Sequence, residues 1–213
     1  MNLNTEKKLW KQGYQLVVGI DEAGRGPLAG PVMAGAVILF SNKINPKLLK
    51  IVNDSKKLSS KQREIVFQML AAEPQIVFGV GKVSEKIIDK INILEAVKLA
   101  MQKAVKSLIK KIGESPDFLI IDGINKINMP IEQKTIIKGD AKIFSCAAAS
   151  IIAKVTRDHY MDKMHLRYPQ YGFNQHKGYG TKQHLKTIKQ FGLCPIHRKT
   201  FSSLANYSFF KIK

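Results

Sequence analysis

Acids are few beside the bases in this chain, and cysteines are few outright. Its 213 residues hold 16 Asp and Glu against 35 Lys and Arg, a formal charge of +19. Such an excess of positive charge favours a polyanionic partner, most simply nucleic acid. A basic membrane-surface protein is the other class that the charge admits, but no long amphipathic basic helix stands apart from the rest of the sequence. The two cysteines, Cys146 and Cys194, are far apart and form no C-x-x-C pair. That excludes a zinc ribbon and suits a reducing, cytoplasmic compartment. No apolar run is long enough to span a bilayer, so no membrane association is expected. The segment Met1–Tyr14 is polar and basic and has no apolar centre, so no secretory leader is expected there. Repeats, low-complexity tracts and obvious linkers are missing as well. With 45% hydrophobic residues, the chain has the material for a full core, organised as one domain.

Because acids are scarce, their placement is informative. Leu16-Val17-Val18 opens an apolar run that reads as a buried strand, and the strand runs into Asp21 and Glu22. A turn with three glycines, two prolines and Arg25 follows, up to Val32. On a continuing strand the two acids would point to opposite faces, whereas a bend at the glycines would bring both toward one site. Gly24 and Gly26 leave backbone N–H groups bare enough to approach a sugar or phosphate, with Arg25 between them. A solvated acidic turn is the plainer reading of this segment taken alone.

Further along, Val32 to Phe40 reads as a second strand, antiparallel to the first. Asp54 to Ser59 is a polar loop. Ser59 with Gln62 forms a capping box for a helix whose apolar face holds Ile65, Val66, Met69 and Leu70. Ile76 to Val83 is a third strand, interrupted by Gly79 and Gly81. Asn92 with Glu95 opens a helix that keeps its apolar spacing to Ile112 and stops at Gly113 and Pro116. Phe118 to Ile121 is a short all-apolar strand, as in a sheet covered on both faces, and ends at Asp122. Thr135 to Ile137 is a fifth strand closing at Lys138-Gly139-Asp140. From Ala141 the pattern is helical, with Ala147, Ile151 and Val155 as a stripe, and Thr181 to Phe191 is a last helix. Strands mixed with helices, then helices alone, predict a mixed α/β sheet with a helical C-terminal part.

Three expected strand ends thus finish on carboxylates: Asp21-Glu22, Asp122 and Asp140. Gathering four carboxylates without cations is costly, since like charges raise one another's pKa. Two Mg²⁺ or Mn²⁺ ions would balance them, and such hard cations prefer oxygen ligands. Two ions about 3.5–4 Å apart can clamp an in-line displacement at phosphorus, and in so basic a chain the phosphorus belongs to a nucleic-acid backbone. Capping of a following helix or loop is an equal explanation for Asp122 or Asp140 alone; their joint recurrence favours the metal reading.

These segments carry a resemblance. GIDEAGRGPLAGPV at Gly19–Val32, DSKKLS at Asp54–Ser59, IIDG at Ile120–Gly123 and KGDAK at Lys138–Lys142 are followed by AAASIIAKVTRD at Ala147–Asp158, HKGYGT at His176–Thr181 and His197-Arg198. In that order they resemble bacterial ribonuclease HII, of the ribonuclease H superfamily, over about Val17 to Phe201. The resemblance implies a ribonuclease H-like mixed five-stranded sheet flanked by helices, with a catalytic α/β core at about 14–145 and a helical, basic part at about 146–213. It implies metal-dependent cleavage of the RNA strand of RNA/DNA hybrids, and cleavage 5′ of single ribonucleotides in duplex DNA that leaves a 3′-hydroxyl and a 5′-phosphate. Carried over, Asp21, Glu22, Asp122 and Asp140 are the catalytic metal ligands, Gly24, Arg25 and Gly26 read the 2′-hydroxyl, and Tyr179 stacks on the adjacent sugar. Cys146 stands where an aliphatic residue is more usual, away from the chemistry.

Other residues stay open. Asp158 pairs with Arg157 or a nearby lysine, or else supports the site. His184 caps or packs near the start of the last helix. His176-Lys177 and His197-Arg198 are candidates for phosphate contact, against a plain solvated face. From Lys138 onward the only acids are Asp140, Asp158 and Asp162, so this part would track duplex phosphates, with Lys56 and Lys57 adding to it. Phe209-Phe210 packs on the core or hooks a partner. A monomer is the default expectation. Two rivals remain: another nuclease or strand-transfer enzyme of the superfamily, and a basic nucleic-acid binder whose acids are idle.

Overall fold

The computed structural model describes residues 2–53 and 58–207. Most of the polar loop at 54–59, Lys56 and Lys57 included, lies outside them, as does the Phe209-Phe210 pair. The chain runs α1 (Asn4–Lys11), β1 (Val17–Ala23), β2 (Val32–Leu39), α2 (Pro46–Asn53), α3 (Ser60–Ala72), β3 (Ile76–Val83), α4 (Glu85–Ile112), β4 (Phe118–Asp122) and β5 (Glu132–Ile136). It continues with α5 (Phe144–Arg167), a single turn α6 (Phe173–His176) and α7 (Lys182–Phe191). Among the described residues the strands form one sheet in the order β3-β2-β1-β4-β5. β1, β2 and β3 are antiparallel neighbours, while β4 and β5 run parallel to β1. This is the mixed five-stranded sheet that the sequence predicts.

Alternation along the strands assigns the faces. Val18, Ile20, Ala34, Ala36 and Ile38 pack with Ala96, Ala100 and Ala104 of α4. Their sequence neighbours turn the other way: Val37 and Leu39 pack with Ala147 to Ala149 of α5, and Val17 and Ile120 with Cys146. The helices come very close. A Cβ at Gly19 would stand 2.4 Å from the Ser145 carbonyl carbon, and one at Gly81 would stand 2.0 Å from the Ala100 oxygen. Gly79 and Gly81 therefore do not interrupt β3, as the sequence suggested; they are the surface on which α4 rests.

The expected helix signals hold, with shifts. Ser59 and Gln62 form the reciprocal capping box of α3, and Val66 and Leu70 point inward, but Ile65 is exposed. Asn92 does open a helical segment, its Oδ1 accepting from the N–H groups of Leu94 and Glu95. A further helical stretch precedes it, joined across a break where Asn92 has φ 63° and ψ 169°. Gly113 ends α4 in a left-handed conformation. β5 begins at Glu132, earlier than its apolar residues suggest, because it is an edge strand whose polar Glu132, Gln133 and Lys134 pair with the buried β4. A third core cluster joins Leu28 and Ala29, between β1 and β2, to Met161, Tyr171, Phe173, Ile188 and Leu204. None of the described helices is long and apolar enough to cross a membrane.

Candidate active site

The parallel pairing of β1 with β4 sets Ile20 beside Ile121. Asp21 and Asp122 come next on each strand, so both carboxylates leave the sheet on the α5 face. The third acid does not come from a strand end, contrary to the sequence-based expectation. β5 stops at Ile136, Lys138 turns with φ 58°, and Asp140 sits on a 3₁₀ turn, Gly139–Ala141. That turn is tied to β4 by the Gly139 N–H, which donates to Asp122 Oδ1 at 2.7 Å. One oxygen each from Asp21, Asp122 and Asp140 then lies within 4.8 Å of the others.

Glu22 is placed differently. β1 stays hydrogen-bonded to β2 as far as Ala23 opposite Met33, so the bend at the glycines comes too late to turn Glu22 toward Asp21. It leaves by the α4 face, pairs with Arg25 at 3.2 Å, and shares a shallow cleft with Lys98, Asp122 and Asn125. The two acids reach the same end of the sheet from its opposite faces. Burial first, then the charges of Glu22 and Asp122, push Asp21 well above the usual carboxylate range. Burial also raises Glu22, against the Arg25 guanidinium that pulls it down. In both, burial away from water is the main cause, and neighbouring carboxylates add to it.

The turn after β1 is stretched over two buried arginines. Gly24 has φ +99°, and a Cβ there would meet Arg157 Nε at 2.3 Å. Gly26 is open by contrast, the nearest atom to its missing Cβ being Tyr179 Cε1 at 4.0 Å. Tyr179 is 42% exposed. Beyond it a groove of about 610 Å³ is lined by Arg63, Lys154, His159, Lys177 and Tyr179, among others. Glu64, Asp158 and Asp162 line it too, and two of its lysines are paired, Lys154 with Asp158 and Lys177 with Asp162. Three clustered acids, a glycine turn and an exposed ring thus stand along one surface. The Ribonuclease HII family model matches residues 18–209.

This chain belongs to the ribonuclease HII family. It is 53% identical over 197 residues to the ribonuclease HII of Chlamydia muridarum, covering 92% of this chain and 87% of that one. It is 52% identical to that of Acetivibrio thermocellus, covering 92% and 73%. The crystal structure of ribonuclease H2 from Pyrococcus horikoshii superposes with a TM-score of 0.72 at 30% identity, over 90% of this chain and 96% of that one. The chain is accordingly a ribonuclease H type 2 enzyme, an endonuclease of the class that acts on RNA/DNA hybrids.

Within this ribonuclease HII fold, several residues sit elsewhere than the sequence suggests. His176 and His197 do not form a solvated face; both are buried, and His184 packs with them as its place near the start of the last helix suggests. The His176 and His184 rings stack, and His197 lies tilted beside His184, with His184 Nε2 at 3.1 Å from His197 Nε2. Burial lowers His184 to about 4 and His197 to about 3, so both are neutral at pH 7. Arg198 is buried as well. Lys177 faces the groove but pairs with Asp162. Asp158 takes the lysine option, pairing with Lys154 at 2.6 Å. Cys146 and Cys194 are free and buried.

Sequence reasoning missed two features. Glu6 of α1 is fully buried, and its Oε1 accepts from the Ser145 N–H at the start of α5 at 2.9 Å. Arg157 is buried too, yet a signal for it existed: it stands four residues from both Ala153 and Met161, on the apolar stripe of α5.

Proposed function

We propose that the chain hydrolyses the RNA strand of RNA/DNA hybrids and cuts 5′ of single ribonucleotides in duplex DNA, leaving a 3′-hydroxyl and a 5′-phosphate. In this reading Asp21, Glu22, Asp122 and Asp140 hold two Mg²⁺ or Mn²⁺ ions. The observation that carries it is the convergence of three carboxylates from β1, β4 and the 3₁₀ turn within 4.8 Å. All-oxygen donors suit hard divalent cations, and a cation bound there would stabilise the ionised form of Asp21, which is buried beside the charges of Glu22 and Asp122. Bound there, the ions would balance the carboxylates, polarise the scissile phosphate and lower the pKa of the attacking water.

The chain's own residues supply the rest. The Ser150 hydroxyl and the Glu22 N–H bond Asp21 and fix its carboxylate. Gly24, Arg25 and Gly26 offer main-chain groups to the 2′-hydroxyl, the group that separates RNA from DNA. Tyr179 presents a ring that can stack on a deoxyribose, with Lys154 Nζ 5.9 Å from its centroid. Arg63, Lys154 and Lys177 line the groove beyond it, where Lys154 and Lys177 could exchange their Asp158 and Asp162 partners for duplex phosphates. All these groups come from one chain, which supports action as a monomer. The two free cysteines accord with a reducing cytoplasm.

The test compares a duplex carrying one ribonucleotide with a long hybrid, in Mg²⁺ or Mn²⁺ and in EDTA. Cleavage should need the metal. Tyr179→Ala should lose roughly ten- to a thousandfold on the single ribonucleotide, about 1.4–4 kcal/mol, and less on the hybrid, which has no deoxyribose at that position. An unchanged ratio in a well-folded variant would remove Tyr179 from the reading. Full activity in EDTA would remove the metals.

A further inference from the structure

Two fully buried guanidiniums lie beneath the turn that follows β1, and among the described residues no carboxylate is hydrogen-bonded to either. Two like charges in an apolar interior are costly, and both are spent on main-chain oxygens. Arg198 donates through Nη2 to Gly24 O at 2.6 Å, through Nη1 to Arg25 O at 2.9 Å and through Nε to Gly30 O at 2.9 Å. Arg157 donates to Pro31 O, Ala29 O and Lys177 O at 2.9–3.0 Å. Five of the six carbonyls belong to the segment 24–31, and the sixth to the loop that carries Tyr179.

The direction of these bonds matters more than their number. In a trans peptide the C=O of one residue and the N–H of the next point opposite ways, and no peptide bond here is cis. Pulling Gly24 O and Arg25 O inward onto Arg198 therefore turns the N–H groups of Arg25 and Gly26 outward. Among the described residues no acceptor takes either N–H. Unlike Arg157, Arg198 reaches the carbonyls of the glycine-arginine-glycine turn itself.

We propose that Arg198 is a positioning residue for ribose recognition, clamping two carbonyls of the turn so that the Arg25 and Gly26 amides face the 2′-hydroxyl. This rests on the reading that the turn reads that hydroxyl. A lysine at this position keeps the charge but offers one nitrogen, which cannot serve both carbonyls in the fork geometry of a guanidinium.

The experiment is equilibrium binding in Ca²⁺, to suppress turnover, of a DNA duplex with one ribonucleotide and of its all-deoxy twin. The wild-type chain should prefer the first. Arg198→Lys should reduce that preference by about tenfold, the factor that 1.4 kcal/mol carries, while affinity for the all-deoxy duplex holds. Arg157→Lys, an equally buried change, should keep most of the preference. A purely structural role would weaken both duplexes alike, and a folded Arg198→Lys with its preference intact would overturn the proposal. A wild-type chain with no preference would instead overturn the underlying reading of the turn. Should Arg198→Lys fail to fold, wild-type ¹⁵N spectra decide. The Arg25 and Gly26 amide resonances should move with the ribonucleotide duplex and not with its twin, and equal movement with both would overturn the clamp.

Discussion

Gly24 and Gly26 are two residues apart in one turn, yet alanine should do opposite things at them. At Gly24, with φ +99°, a Cβ would lie 2.3 Å from Arg157 Nε and 2.9 Å from the Pro31 oxygen. The backbone conformation alone costs about 1–2 kcal/mol, and displacing a buried guanidinium that serves three carbonyls adds at least as much. A total of roughly 3 kcal/mol corresponds to a fall in Tm of about 6–12 °C for a chain of this size. At Gly26 no positive φ is involved, and the new methyl would meet only the Tyr179 ring edge at 4.0 Å. Stability should stay within about 0.5 kcal/mol of wild type. The methyl would occupy the space between the turn and the ring, where the sugar must enter to meet the amides. A misplacement of 1 Å can cost about a hundredfold in rate, so kcat/KM on a duplex with one ribonucleotide should fall by about ten- to a hundredfold. Thermal melting and single-turnover cleavage of both variants check the pair. Gly26→Ala with full activity, or Gly24→Ala with an unchanged Tm, would refute the geometry argued here.

Asp122→Asn removes one like charge from the cluster, so its Tm in EDTA should equal or exceed that of wild type while cleavage falls by about a thousandfold or more. Saturating Mn²⁺ at a hundredfold over Kd stabilises a binding fold by about 2.7 kcal/mol; scanning calorimetry should show that gain in wild type and not in the variant. The buried histidines set an acid limit. His184 and His197 fall from an unfolded value of about 6.5 to about 4 and about 3. Between those values the unfolded chain binds more protons than the folded one, so stability is full above pH 6.5 and declines as the pH falls, by up to about 1.4 kcal/mol per unit per histidine. Asp21 and Glu22, whose folded values are raised, act in the opposite sense. The comparison of Tm against pH for wild type and His184→Asn isolates the histidine share, and equal slopes would contradict it. Affinity for duplex should fall with salt at a log-log slope of about −0.9 per neutralised phosphate; a flat response in a binding titration would mean that the basic C-terminal part faces something else.

Much of this protein follows from the sequence alone, because the relevant physics is local. Alternating or continuous apolar runs marked β1 to β4, and the Ser59–Gln62 and Asn92–Glu95 pairs marked helix starts, since capping is settled within four residues. The scarcity of acids and the motifs around Asp21, Asp122, Asp140 and Tyr179 pointed to family and chemistry. Tertiary structure decided which of those groups meet. Parallel pairing put Asp21 beside Asp122, and continued pairing to β2 sent Glu22 to the other face. β5 was short of apolar residues at its start because an edge strand owes its pairing to the buried neighbour. His197-Arg198 read as surface because charge and polarity usually mean exposure. Six inward-facing carbonyls on two distant arginines reversed that, and carbonyl direction depends on how a turn closes against the rest of the chain, which no single stretch of sequence encodes.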